Sequence, residues 1–204
     1  MYKNVILLNN MLMKKITILV ATGLLLALYS CNNTASNDAK AKADSINEAK
    51  VDRQDDNMTK GIAEKDAKFA TDAANGGMAE VELGKLAQEK ATDAKVKEFG
   101  SMMVTDHSKA NDELKILAQS KGIELPTMPG EDEQKIKQEL SAKSGKDFDK
   151  AYVDQMVTDH KKTITLFENA LNDVEDADLK QFIQKTLPVL KSHLEHIQAI
   201  DGSK

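Results

Sequence analysis

Met103-Val104-Thr105-Asp106-His107 recurs unchanged as Met156-Val157-Thr158-Asp159-His160, and an aromatic residue, Phe99 or Tyr152, stands four positions before each Met. Each copy lies in a stretch whose apolar residues step by three or four, the period of one face of an α-helix. Around the first copy the seam is Val96, Phe99, Met103, His107, Ala110, Leu114 and Leu117. Around the second it is Phe148, Tyr152, Met156, His160, Ile164, Phe167 and Leu171. In both, a histidine takes a seam position that would otherwise bury a hydrophobe. Two helices, over 93–121 and 146–173, follow from this spacing, related by a pseudo-two-fold axis rather than by a solenoid period.

Two further helices flank them. Residues 64–90 carry Phe69, Ala73, Gly76, Ala79, Leu83, Leu86 and Ala87 on one side, a small-residue face that permits close helix approach. Gly76-Gly77 within it predicts a bend. Residues from 176 to about 200 carry Leu179, Phe182, Ile183, Leu187, Leu190, His193, Leu194 and Ile197, with Asp176 as N-cap and Pro188 predicting a kink. Gly122 is the expected C-cap of the second helix, and Pro126, Pro129 and Gly130 break the chain after it. Residues 131–143, with Ile136 and Leu140, form a short connecting helix. Short turns make the first and second, and the third and fourth, long helices antiparallel hairpins. The long second connection then gives an all-α, ferritin-like antiparallel four-helix bundle with a crossover that contains a short helix.

Composition agrees. Of 204 residues, aromatics are 4%, with no Trp, 3 Pro and 10 Gly, which disfavours a strand-and-turn protein and an aromatic platform for single-stranded nucleic acid. The net charge of −5 removes a general nucleic-acid footprint. A single Cys excludes an internal disulfide and a Cys-based zinc or iron–sulfur site.

That Cys ends an export signal. Met13-Lys14-Lys15 is a basic n-region and residues 16–28 are an apolar run too short for a membrane span. The run closes on Leu28-Tyr29-Ser30-Cys31, which resembles a bacterial lipobox, with Tyr29 departing from the commonest pattern. This predicts a signal peptide over 1–30 starting at Met13, and lipidation of Cys31. Its removal deletes three lysines and no acid, which leaves the chain at −8. An acidic body does not seek anionic headgroups, so the lipid is what would hold it to the membrane. Asn32 rather than Asp after the Cys favours the outer membrane, and the expected location is the bacterial envelope, at the outer membrane facing the periplasm. Residues 31–58 lack apolar periodicity and read as a lipidated, flexible tether, and 59–204 as the folded domain.

The chain resembles domain-of-unknown-function family 4142, small exported bacterial proteins. The matching residues run Phe69…Ala73-Ala74-Asn75-Gly76-Gly77-Met78-Ala79-Glu80-Val81-Glu82-Leu83-Gly84, then Phe99…Met103-Val104-Thr105-Asp106-His107. They continue with Gly145…Phe148-Asp149…Tyr152…His160 and end with Leu187-Pro188…His193-Leu194. The resemblance covers about 62–200 and implies a ferritin-like bundle. It implies no activity.

Chemistry rests on the four histidines, His107, His160, His193 and His196, and on Glu80 beside the apolar face of the first long helix. In a bundle Glu80, His107, His160 and His193 point inward, one per helix, as metal sites in bundles are built. Imidazole suits zinc, copper or iron, and the Met103/His107 and Met156/His160 pairs add a soft, copper-favouring element. Counting from the turns, His160 and His193 differ in level by about 7.5 Å at 1.5 Å per residue, so one compact site needs tilt or stagger. A di-iron oxidase needs Glu-x-x-His on two helices, and the residues three before the histidines are Val104, Val157, Leu190 and His193. No phosphate loop, nucleophile elbow or EF-hand spacing appears. Two functions stay open beside a minor third, a redox enzyme on the same site. One is a non-enzymatic envelope protein with a structural, adaptor or stress-related role among envelope partners, its histidines being hydrogen-bonded core residues. The other is a transition-metal-binding bundle for sequestration or delivery, with Glu80, His107, His160 and His193 as ligands.

Overall fold

The computed structural model describes residues 38–54 and 63–201, which form six α-helices and, among the described residues, no strand. They are α1 (Ala39–Gln54), α2 (Glu64–Lys90), α3 (Ala94–Lys121), α4 (Glu131–Ser141), α5 (Gly145–Asp173) and α6 (Ala177–Asp201). The signal peptide, Cys31 and its lipidation lie outside the described residues. The long helices α2, α3, α5 and α6 pack in the pairs α2–α3, α5–α6, α2–α5 and α3–α6, a bundle-like all-α arrangement. No described helix is long and apolar enough to cross a membrane.

The helix ends follow local chemistry. Asp93 caps α3 by accepting from Lys95 N at 2.8 Å, and Gly122 ends it in the left-handed region at φ 71°, where a Cβ would be strained. Asp176 caps α6 by accepting from the backbone N–H groups of Asp178 and Leu179, both at 3.0 Å. Two buried acids of the long helices hold the two tight turns reciprocally. Asp149 of α5 accepts from Thr92 N at 2.9 Å and Asp93 N at 3.0 Å in the α2–α3 turn, and from the Thr92 hydroxyl. Asp66 of α2 accepts from Glu175 N at 2.7 Å and Asp176 N at 3.1 Å in the α5–α6 turn.

Close approach of α2 and α3 depends on two glycines. A Cβ on Gly84 would stand 2.7 Å from Gly100 O, and one on Gly100 would stand 2.8 Å from Gly84 O. α2 runs as one helix from Glu64 to Lys90 through Gly76-Gly77. Pro188 likewise lies inside an unbroken α6. Packing of the Ala- and Leu-rich face outweighs the propensity cost of about 1 kcal/mol per glycine.

The tether expectation needs correction over residues 39–54, which form α1 on α2. Its apolar pattern is weak because polar contacts hold it. Asn47 donates to Glu124 O at 2.8 Å and accepts from Glu124 N at 2.7 Å, and the Thr71 hydroxyl donates to Asp44 at 2.6 Å. Lys40 pairs with Asp72 at 2.8 Å, and Ala43 is buried beneath.

The core has two apolar clusters. One gathers Phe69, Leu114, Ile164, Phe167, Phe182 and Leu187. The other gathers Leu83, Phe99, Met103, Tyr152, Met156 and Ile197. Along each long helix a buried polar residue separates the two: Glu80, His107, His160 and His193.

Candidate metal centre

Each residue of this polar layer comes from a different long helix. His107, His160 and His193 each present a ring nitrogen within 4.8 Å of the others, the one set of three or more His, Cys, Asp or Glu groups so placed among the described residues. Their ring centroids are 5.9 Å (107–160), 5.5 Å (107–193) and 5.5 Å (160–193) apart. The predicted 7.5 Å offset between His160 and His193 overstates the distance. The turn occupies residues 174–176, so α5 ends at Asp173 and α6 begins only at Ala177. Measured from those ends, the histidines differ by three residues, about 4.5 Å along the axis, which side chains span.

Hydrogen bonds fix the tautomers. His160 Nδ1 lies 2.9 Å from Met156 O, so it carries the proton and donates, which leaves a lone pair on Nε2. His193 Nε2 lies 2.9 Å from Asp106 Oδ2 and donates to it, which leaves the lone pair on Nδ1. The atoms so freed, His160 Nε2 and His193 Nδ1, are buried without a partner, as is His107 Nε2. Burial drives the pKa values down: His107 to about 3, helped by His160 and His193, and His160 to about 4 against the pull of the Met156 carbonyl. His193 is also lowered, burial outweighing its bond to Asp106. The Asp106–His193 contact is therefore a neutral-donor hydrogen bond near neutral pH, although its distance would also suit an ion pair.

Two lone pairs, on His160 Nε2 and His193 Nδ1, and the unpartnered His107 Nε2, whose tautomer no hydrogen bond fixes, make a cluster of neutral imidazoles that suits a cation. Each orphaned buried acceptor costs about 1–3 kcal/mol. A tetrahedral ion with metal–nitrogen bonds of 2.0–2.1 Å holds its nitrogens about 3.4 Å apart. The present spacing closes on such an ion by side-chain shifts of about 1 Å, and three histidines leave a fourth position open. A cleft of about 130 Å³ between α3 and α6, with Asp106, His107, Lys109, Glu113, Lys185 and His193 in its wall, leads in from solvent.

Glu80 stands apart from the nitrogen cluster. Its Oε1 is 3.7 Å from His160 Nδ1, the edge of the ring that faces Met156 rather than His107 and His193, and this is too long for a hydrogen bond. Its Oε2 is buried without a partner. Burial, then Asp159 and Glu133, push its pKa well up. The Tyr152 hydroxyl is likewise buried and unpartnered. His196 is exposed, its ring edge-on to Phe99 at 5.8 Å, and does not join the cluster. Met103 and Met156 are fully buried in the apolar cluster that contains Phe99.

Asp106 is the partner of this cluster that sequence reasoning missed. Adjacent helical residues do not share a face, so Asp106 does not meet His107; it reaches His193 on the neighbouring helix instead. Its signal was in the repeat, where each His follows an Asp.

The fold and its central layer define a class: all-helical, bundle-like proteins with a buried polar cluster between two apolar ones. The chain belongs to the family described as domain of unknown function DUF4142, whose model matches residues 51–200. A solved structure, a DUF305 fragment from Deinococcus radiodurans, is similar in fold, with 9% identity and a TM-score of 0.62 over 71% of this chain and 99% of that one. No curated protein matches the chain.

Proposed function

We propose that this protein is a transition-metal-binding, ferritin-like four-helix bundle of the bacterial envelope, tethered through a lipid on Cys31. The metal is held by His107, His160 and His193, for sequestration or delivery rather than catalysis. The observation that carries this reading is the set of three buried ring nitrogens with no hydrogen-bond partner. Core histidines kept for structure alone are expected to be satisfied. Here the satisfied nitrogens are the outer ones, on Asp106 and Met156 O, as in the supporting shell of a metal site. The four long helices and the α3–α5 crossover through α4 support the ferritin-like arrangement. The lipobox-like Leu28-Tyr29-Ser30-Cys31 supports the anchor.

Elemental analysis and calorimetric titration of the full chain with zinc, copper and iron test the reading. One equivalent of one metal is expected, with a gain of about 2.7 kcal/mol in stability at a hundredfold excess over Kd, lost in the His107→Ala/His160→Ala double variant. A folded chain that binds none of the three leaves the structural or adaptor role, with the histidines as core residues.

A further inference from the structure

Glu80 also forms part of a groove of about 430 Å³ lined by residues of α2, α4 and α5 together with Asp38 and Lys40. The groove gathers six carboxyl groups against the ammonium groups of Lys40 and Lys162. Two further observations separate it from an ordinary solvated acidic face. Glu80 is buried to 5% exposure with Oε2 unpartnered. Glu133 is set in place by Asn75, itself buried, whose Nδ2 donates to Glu133 Oε1 at 3.0 Å while its Oδ1 accepts from Gly130 N at 2.7 Å.

The pattern of charges decides the class of ligand. Among the described residues no Lys or Arg lies within ion-pair distance of Glu80, Glu133 or Asp159; His160 stands beside Glu80, Gln155 Nε2 donates to Asp159 Oδ1 at 2.9 Å, and Lys162 acts on Asp159 from beyond ion-pair distance. A single inorganic ion does not fit them, because the one converging set of three metal-ligating groups among the described residues is the histidine cluster. Separated carboxyls call for separated positive charges on one flexible ligand. Lys40 already shows the chemistry, its ammonium lying in the groove 2.8 Å from Asp72. Ala79 and Leu166 in the wall offer apolar surface for a methylene chain, and the volume suits a small molecule.

We propose that the groove binds an aliphatic polyamine, with ammonium groups on Glu80, Glu133 and Asp159. This rests on the groove alone and not on the metal reading. The test is calorimetric titration of the metal-free full chain with spermidine, and separately with magnesium and calcium. Saturable one-to-one spermidine binding is expected, weakened at least about tenfold in Glu133→Gln/Asp159→Asn and unchanged in His107→Ala. Lys162→Gln, an exposed change that removes a competing cation, is expected to tighten it several-fold, so the proposal stays testable if the double variant fails to fold. Absence of saturable binding, equal affinity in the charge variants, or magnesium or calcium binding as tightly as spermidine would each overturn it.

Discussion

Replacing His107 by Gln in the metal-free protein should flatten the acid side of the stability profile by a calculable amount. In the unfolded chain this imidazole titrates near 6.5; in the fold, burial holds it to about 3. A depressed histidine costs nothing above its unfolded pKa, and stability is lost as pH falls below it, because only the unfolded chain then takes up the proton. From about pH 7.5 to about pH 5 the unfolded state gains its proton over some 1.5 pH units at 1.36 kcal/mol each, a loss of about 2 kcal/mol. Glu80 acts in the opposite direction: its raised carboxyl pKa adds stability as pH falls. Both proteins keep Glu80, so its contribution cancels in the difference. The assay is urea unfolding, followed by far-UV circular dichroism with a chelator present, at both pH values. The wild type should lose about 2 kcal/mol more than His107→Gln. Parallel losses, within about 0.5 kcal/mol, would mean that His107 titrates as a hydrated imidazole, and the argument for a dry cluster of lone pairs would fail.

Asp106→Asn keeps the shape of the outer contact and removes its charge, so metal affinity measured by competition with a chromophoric chelator should fall about 10- to 100-fold. Gly100→Ala should destabilise by about 1–3 kcal/mol in urea unfolding, because its Cβ would meet Gly84 O at 2.8 Å and Ala87 Cβ at 2.9 Å. Gly76→Ala, with nothing within 4 Å of its Cβ, should instead stabilise by about 0.5–1 kcal/mol in the same assay. Asp149→Ala strips two backbone N–H groups of their acceptor and should cost about 2–4 kcal/mol, read as a lower urea midpoint.

The long helices were legible because their seams repeat every three or four residues over many turns. The spacing places α2 at residues 64–90, where the structure has it, and the other long helices to within a residue or so at their starts. α1 was not legible, since polar contacts from Asn47, Asp44 and Lys40 to distant residues leave no periodic trace. The three histidines announced themselves as polar residues at apolar positions. Their convergence was not readable, because it depends on where the α5–α6 turn takes up residues. Glu80 was placed in the right layer, but only the structure shows it against the far edge of His160. Asp106 was hidden for a related reason, its partner His193 being 87 residues away on another helix.

The crossed clamps of Asp66 and Asp149 have a consequence for how the molecule comes into being. Each hairpin's bend is secured by an acid belonging to the other hairpin, so neither half possesses all the bonds that close it. A fragment cut within the α3–α5 crossover would carry an unfastened turn and an uncovered seam. Assembly should therefore be all-or-none, with no long-lived half-molecule. The histidine trio, drawn from both halves, would then exist only once the last hairpin has docked.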